Sequence, residues 1–463
     1  MNVAIGVLSA VFWGVVLLSV LVFVHEGGHY LMARAFHVRV TEFYLGLPCR
    51  IKLFRKSKKY GTEVGVTPLL LGGYNRICGM ESLDGLTDEM LAEAFAIVQQ
   101  EGRVDAEVVA DRMGIELAQA YDLLAMLTDW AAIRPYYNPD LDEKPNQKEF
   151  PAAFETLARD ANMLTEYDLG HDFSLEGSTE AGEPRPVSRP NEQLEAEKSH
   201  TYLGCNLPRR LAILVAGPLV NIILAFVLTV GVFMAVEQRV PINENVLGSV
   251  EQGSIAESAG LREGDELVSV GETSIADWNE LATALQAACA AGDDFDISYV
   301  RDGKEAVAHI DLPEDEQVEI IGVSPRIESF HLTLSEAVTA TFNYVGMVVS
   351  VVARLIMPQH TMEVLNQSSS IVGISVMASE AVSKGFLDVI SLMAAISMSL
   401  GFMNLLPIPP LDGGKVLTEL IEAIIHRPLS MKARMAMSYV GIAFFVFVFV
   451  VVVRNDVLRL LAG

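Results

Sequence analysis

Four long apolar runs, separated by charged stretches, set the framework of the chain. They cover residues 3–35, 211–236, 386–406 and 435–453, and the last is almost purely apolar. A helix needs about 20 apolar residues to cross a bilayer, so each run predicts a transmembrane helix. The first run has no basic start and no small-residue cleavage site, and His25, Glu26 and His29 interrupt it. It therefore reads as a retained span rather than a secretion signal. Between the runs the periodicity changes. Residues 87–100, 104–113 and 116–130 repeat at helical spacing, with Gly114 as a turn and strand-like Ile133-Arg134-Pro135-Tyr136 after them. That order predicts a winged-helix-like insert over 81–137. Residues 138–206 are acidic and rich in Pro and Gly, and predict a flexible linker with a short helix at 152–161. A β-rich domain is expected over 244–325, with strands at 246–250 and 295–300, a helix at 278–290 and a hairpin turn at Arg301-Asp302-Gly303-Lys304. Residues 332–357 are partly amphipathic and stop at Pro358. They read equally as a membrane-surface helix and as a buried one, with a connector to 383.

Composition agrees with a membrane body carrying water-facing inserts. The chain is 51% hydrophobic yet 20% charged, with a mean hydropathy of +0.35, which suits neither a soluble protein nor one wholly in lipid. A net charge of -26 repels phosphates and argues against general nucleic-acid binding. The helix predicted at 116–130 carries Glu116, Asp122 and Asp129 but no Lys or Arg, so a protein partner or a structural role is expected of the insert, not DNA reading. The cysteines Cys49, Cys78, Cys205 and Cys289 form no CxxC and suggest neither a zinc cage nor a disulfide framework. Basic residues crowd after the first run (Arg34, Arg39, Arg50, Lys52), before the second (Arg209, Arg210) and between the third and fourth (Lys415, Arg427, Lys432, Arg434). The excess of Lys and Arg on cytoplasmic loops places 37–206 inside and puts both termini and the β-rich domain outside. Arg454 and Arg459 weakly oppose this.

The chemistry lies in the apolar runs. His25-Glu26-Gly27-Gly28-His29 puts two imidazoles four residues apart, on one face of a helix, with a carboxylate beside them. This is the pattern of a zinc site with a glutamate general base, in which the metal polarises a peptide carbonyl and acidifies water. Ionisable residues inside a span are costly and usually functional. Catalytic zinc needs a third protein ligand, and Asp412 in Asn404-Leu-Leu-Pro-Ile-Pro-Pro-Leu-Asp-Gly-Gly414 is the candidate. It follows a Pro-rich break at the predicted cytoplasmic end of the third span, at the depth expected for His25 and His29.

Together with L-G-G-Y at 71–74 and A-G-P-L-V-N at 216–221, these motifs resemble the site-2 proteases, intramembrane zinc metalloproteases, and in particular their bacterial regulator-of-sigma-E type with a PDZ domain. The resemblance implies a re-entrant β-hairpin and a PDZ domain, which with the four apolar runs and the insert gives an α-helical polytopic membrane protein of four transmembrane helices and a re-entrant β-hairpin, plus a PDZ domain and the winged-helix-like insert. Its domains would be 1–80, 81–137, 138–206, 207–237, 244–325, 332–383, 384–414 and 434–455. It implies Zn2+ held by His25, His29 and Asp412, with Glu26 catalytic. It implies substrate contacts at Asn404 and Asn221, and at an edge strand including Gly72, Gly73 and Tyr74. Val64, Val66 and 69–71 are strand-like, with Gly72 and Gly73 as a turn, and such an edge can pair with an unwound substrate. The implied substrate is a single-span membrane regulator such as an anti-sigma factor, cut in a bacterial cytoplasmic membrane. The sequence S-I-A-E-S-A-G-L-R-E-G-D at 254–265 resembles the PDZ helix and turn. One departure is Ser369-Ser-Ile-Val-Gly-Ile374, which stands where the family commonly has G-P-x-G-I.

Overall fold

The computed structural model describes residues 2–70, 72–80, 85–144, 150–313, 321–427 and 429–462. Leu71, part of the L-G-G-Y motif, lies outside them. The chain divides into two compact units, 1–229 with 341–463, and 230–340.

The chain opens with helix α1 (Asn2–Ala35), followed by strands β1 (Val40–Leu45), β2 (Leu53–Lys56), β3 (Glu63–Val66) and β4 (Gly73–Ile77). They form one sheet in the order β2-β3-β1-β4. β1 runs parallel to β3 and antiparallel to β4. The expected hairpin is thus a four-stranded sheet with β4 at one edge. Leu69 and Leu70 lie outside the strands, and Gly73 begins β4 rather than completing a turn. The sheet is fastened to α1 by aromatic packing. Phe43 of β1 stacks between Phe23 and Tyr30, at centroid distances of 4.5 and 5.0 Å. These α1 residues lie seven apart on one helical face, and Glu26 lies between them in sequence.

The first polar insert has helix α2 (Asp88–Glu101), β5 (Arg103–Asp105), α3 (Ala106–Met113), α4 (Leu117–Asp129), β6 (Ile133–Tyr136), β7 (Ala153–Thr156) and α5 (Pro190–Ser199). β7 pairs antiparallel with both β5 and β6. Leu91, Phe95, Leu123, Leu127, Trp130 and Phe154 fill its core.

The acidic stretch differs from the sequence expectation. Residues 153–156 are a strand rather than part of a helix, and the described part of 138–206 packs as structure rather than running as a linker. The reason is electrostatic. Two of its acids, Asp168 and Glu197, are partners of buried arginines. Arg39 bonds Asp168 through both carboxylate oxygens at 2.7 and 2.6 Å and reaches Glu197 at 2.7 Å; Arg159 meets the other Glu197 oxygen at 2.6 Å. Burial would raise both carboxyls, but the Arg39 charge holds Asp168 well below the usual carboxylate range, and Arg159 with Arg39 does the same for Glu197. Their contribution to stability is complete above the unfolded carboxylate pKa of about 4 and is lost as the pH falls below it. Replacing Arg39 by Met leaves the buried Asp168 without its arginine and Glu197 with Arg159 alone, and is expected to cost about 3–5 kcal/mol. Limited proteolysis should then cut within 150–206 at protease levels that spare the wild type.

Helix α6 (Leu207–Ala235) follows, with Pro218 inside it. The second unit then holds β8 (Gln238–Pro241), β9 (Leu247–Val250), α7 (Ile255–Ser258), β10 (Glu266–Val270), β11 (Thr273–Ser274), α8 (Trp278–Ala291), β12 (Phe295–Arg301), β13 (Lys304–Ile310), β14 (Val323–Pro325) and β15 (Ile327–Phe330). Its sheets are β11-β10-β12-β13, β14-β9 and β15-β8. The expected helix and hairpin are present, and Asp302 and Gly303 make the turn at positive φ. The β15-β8 pair extends the unit beyond 244–325 at both ends.

The chain closes with α9 (Leu334–Ile356), α10 (Pro358–Gln367), α11 (Ile371–Lys384), α12 (Phe386–Asn404), α13 (Asp412–Ile425) and α14 (Met431–Ala462). Five helices among the described residues (α1, α6, α9, α12 and α14) are long and apolar enough to cross a membrane. α9 is the one that the four apolar runs did not include. α11 lies antiparallel along α1: Ser379 meets Ser9 at 3.2 Å, while Gly14 gives Ser375 room four residues earlier.

Candidate metal centre

α1 delivers His25 and His29 to one face, and α13 delivers Asp412 to meet them. His25 Nε2 lies 2.9 Å from Asp412 Oδ2; His29 Nε2 lies 3.2 Å from that oxygen and 3.2 Å from His25 Nε2. All three residues are nearly enclosed, with 6%, 7% and 9% of their surfaces exposed. Three donor atoms within 4.8 Å of one another, two imidazole nitrogens and a carboxylate oxygen, make a donor set suited to zinc.

The surroundings fix the donors. His29 Nδ1 donates to the Ile213 carbonyl of α6 at 2.7 Å, which turns Nε2 toward the cluster. His25 has no such partner, since its buried Nδ1 makes no hydrogen bond among the described residues. A Cβ on Gly217 would overlap the His29 imidazole, and one on Gly28 would overlap the Ala216 carbonyl. These two glycines let α6 close on α1 at the level of the cluster. Asp412 is the first residue of α13, after the N-cap Leu411, so it is not itself the cap. Gly413 and Gly414 fold tightly back on the backbone of 405–409, bringing the start of α13 beside the end of α12. Lys415 Nζ stands 3.7 Å from the other Asp412 oxygen.

Glu26 sits next to the cluster in sequence but faces the sheet. Its Oε2 accepts from Asn75 Nδ2 at 2.7 Å, and its main-chain oxygen accepts from the same nitrogen at 3.0 Å. A cavity of about 640 Å³ opens here, lined by Asn75, Arg76, Pro409, Gly414 and Lys415 among others. The profile of peptidase family M50 matches residues 13–448. The chain belongs to peptidase family M50. Similar proteins include the regulator of sigma-W protease RasP of Bacillus subtilis, 27% identical over 463 residues, covering 96% of this chain and 97% of that one. A putative zinc metalloprotease of Lactococcus lactis is 25% identical over 455 residues (96% and 97%), and the probable protease eep of Enterococcus faecalis 27% over 461 (96% and 98%). This M50 peptidase is a zinc metalloprotease of a bacterial membrane.

The remaining residues singled out in the sequence are placed unequally around the M50 centre. Gly73 and Gly72 lie against Phe23 and Val22 of α1, and Gly72 needs its positive φ of 137° to bring β4 there. Tyr74 faces away. Its ring stacks on Tyr44 at 5.3 Å and its hydroxyl donates to Glu42 at 2.6 Å, so it offers the site backbone rather than side chain. Asn221 is wholly buried in α6 with neither amide atom hydrogen-bonded among the described residues, and Asn404 is half-buried at the end of α12. No hydrogen bond joins either to His25, His29 or Asp412 among the described residues. The sequence reading missed Asn75. Strand alternation could place it on the face opposite Tyr74, but the sequence carried no sign of which face meets α1.

Proposed function

We propose that His25, His29 and Asp412 hold the zinc and that Glu26 is the general base of a peptidase that cuts within or near membrane-spanning segments. The convergence of three donor atoms from helices 387 residues apart carries this reading. Zinc, when bound, supplies Lewis-acid polarisation of the scissile carbonyl and lowers the pKa of water. Glu26 then accepts a proton and passes it to the leaving amine. The edge strand β4 offers backbone groups to an unwound substrate, with Gly72, Gly73 and Tyr74 contributing main chain. Asn404 and Asn221 are proposed to orient substrate on the strength of the motifs that carry them.

We infer four full crossings, with both termini and 230–340 outside and 37–206 in the cytoplasm. For Asp412 to meet His25 and His29, the chain between must cross an even number of times. α6 and α12 make two. A third crossing by α9 would need a return; α11, antiparallel to α1, runs in that direction but has only 14 residues, short of the roughly 20 that a full crossing takes, so α9 and α11 are not counted among the four. The strand and helix order of the second unit favours a PDZ domain, and that of 88–156 a winged-helix module docking a protein partner. The substrate class we infer is a single-span regulator such as an anti-sigma factor, in keeping with the name of the Bacillus subtilis relative.

The test uses protein in detergent with a single-span substrate. Chelation and His29→Ala are each expected to remove both zinc and cleavage, and zinc should restore only the chelated wild type. Full cleavage by metal-free protein would sink the assignment.

A further inference from the structure

We propose that Asn75 is a positioning residue that ties the orientation of Glu26 to the substrate-binding edge strand. The inference rests on the reading of Glu26 as general base and of β4 as the substrate edge. Asn75 is the third residue of β4, opposite Phe43 in the β1–β4 register. Its side chain shares the face of Phe43, because neighbours across an antiparallel pair point the same way. Phe43 is held between Phe23 and Tyr30 of α1, and its ring lies over the turn that carries Gly27, where a Cβ would meet Phe43 Cζ at an ordinary contact distance of 3.8 Å. The aromatic sandwich therefore sets the height of the sheet on α1, and that height brings the Asn75 amide to Glu26.

The contact is chemically specific. A single amide nitrogen donates both to Glu26 Oε2 at 2.7 Å and to the Glu26 carbonyl at 3.0 Å. The side chain is thus referenced to its own backbone, which removes rotamer freedom from a carboxylate that must meet a reacting water. Asn75 engages Oε2 and leaves Oε1 as the oxygen without this bond, free to accept a proton. The residue that orients the base also belongs to the strand to which substrate adds. Substrate pairing along β4 would brace Asn75, so the base is best aligned when a substrate strand is in place.

The experiment measures kcat and KM separately, with zinc content, for Asn75→Leu, Asn75→Asp and Asn75→Gln beside Glu26→Gln. Leucine keeps the size of the side chain but donates nothing; aspartate keeps the shape and opposes Glu26 with a like charge; glutamine keeps the donor. The expected result is a kcat lowered about tenfold in Asn75→Leu and further in Asn75→Asp, with KM within about twofold and zinc retained, and partial recovery in Asn75→Gln. Wild-type kcat in Asn75→Leu and Asn75→Asp, with Glu26→Gln inactive, overturns the role of Asn75 and leaves that of Glu26 standing. A raised KM at unchanged kcat overturns it too, because Asn75 would then serve substrate pairing alone. Zinc loss in all three variants also overturns it, by making Asn75 a support of the metal site. An active Glu26→Gln removes the underlying reading itself.

Discussion

Glu26→Gln is expected to lower cleavage by about 10²–10⁴-fold while leaving the zinc bound. The substitution changes shape very little. The glutamine carbonyl oxygen can still accept from Asn75, which lies 2.7 Å from Glu26 Oε2 in the native chain. The packing of β4 on α1 should therefore survive. What disappears is the capacity to take up a proton, because an amide is not a base near neutral pH. Zinc should stay because its three converging donors belong to His25, His29 and Asp412, not to Glu26. The measurement pairs metal analysis of the purified variant with its cleavage rate on a single-span substrate. Equal cleavage by wild type and Glu26→Gln would falsify the assigned role.

Gly217→Ala is expected to be nearly as damaging through geometry alone. The added methyl would occupy the space of the His29 ring at Nε2, the nitrogen aimed at Asp412. His29 cannot retreat cheaply, because its Nδ1 is bonded to Ile213 on the same helix, α6. Either the imidazole rotates away or α6 shifts off α1, and both separate the donors. Zinc content is expected to fall well below one per chain, and activity by about a hundredfold, the scale set by misplacing reacting groups by about 1 Å. Helix propensity works the other way, since alanine is favoured over glycine in a helix by about 1 kcal/mol. Loss of helix stability therefore cannot explain the defect. Gly231→Ala on the same helix is the control: its added Cβ meets nothing within 4 Å, and it should keep both zinc and activity. A fully active, zinc-loaded Gly217→Ala would mean that α6 does not confine His29.

The sequence by itself determined the parts of this protein that depend on local pattern. Four of the five helices long and apolar enough to cross a membrane were legible from apolar runs, because lipid demands uninterrupted hydrophobic length. His25, Glu26 and His29 were legible as candidates because four-residue spacing fixes a helical face, and Asp412 because a zinc site with two imidazoles calls for a third ligand and this carboxylate follows a Pro-rich break at matching depth. Tertiary structure alone decided what depends on distant partners. The acids of 138–206 looked like those of a solvated linker, since net charge does not reveal that Asp168 and Glu197 are buried against Arg39 and Arg159. A hairpin became a four-stranded sheet because β3 pairs in parallel with β1, a choice no local signal encodes. The partner of Glu26 was hidden for the same reason. The stacking of Phe43 between Phe23 and Tyr30, with Gly72 and Gly73 against Val22 and Phe23, sets which face of β4 meets α1 and so brings Asn75 to the carboxylate.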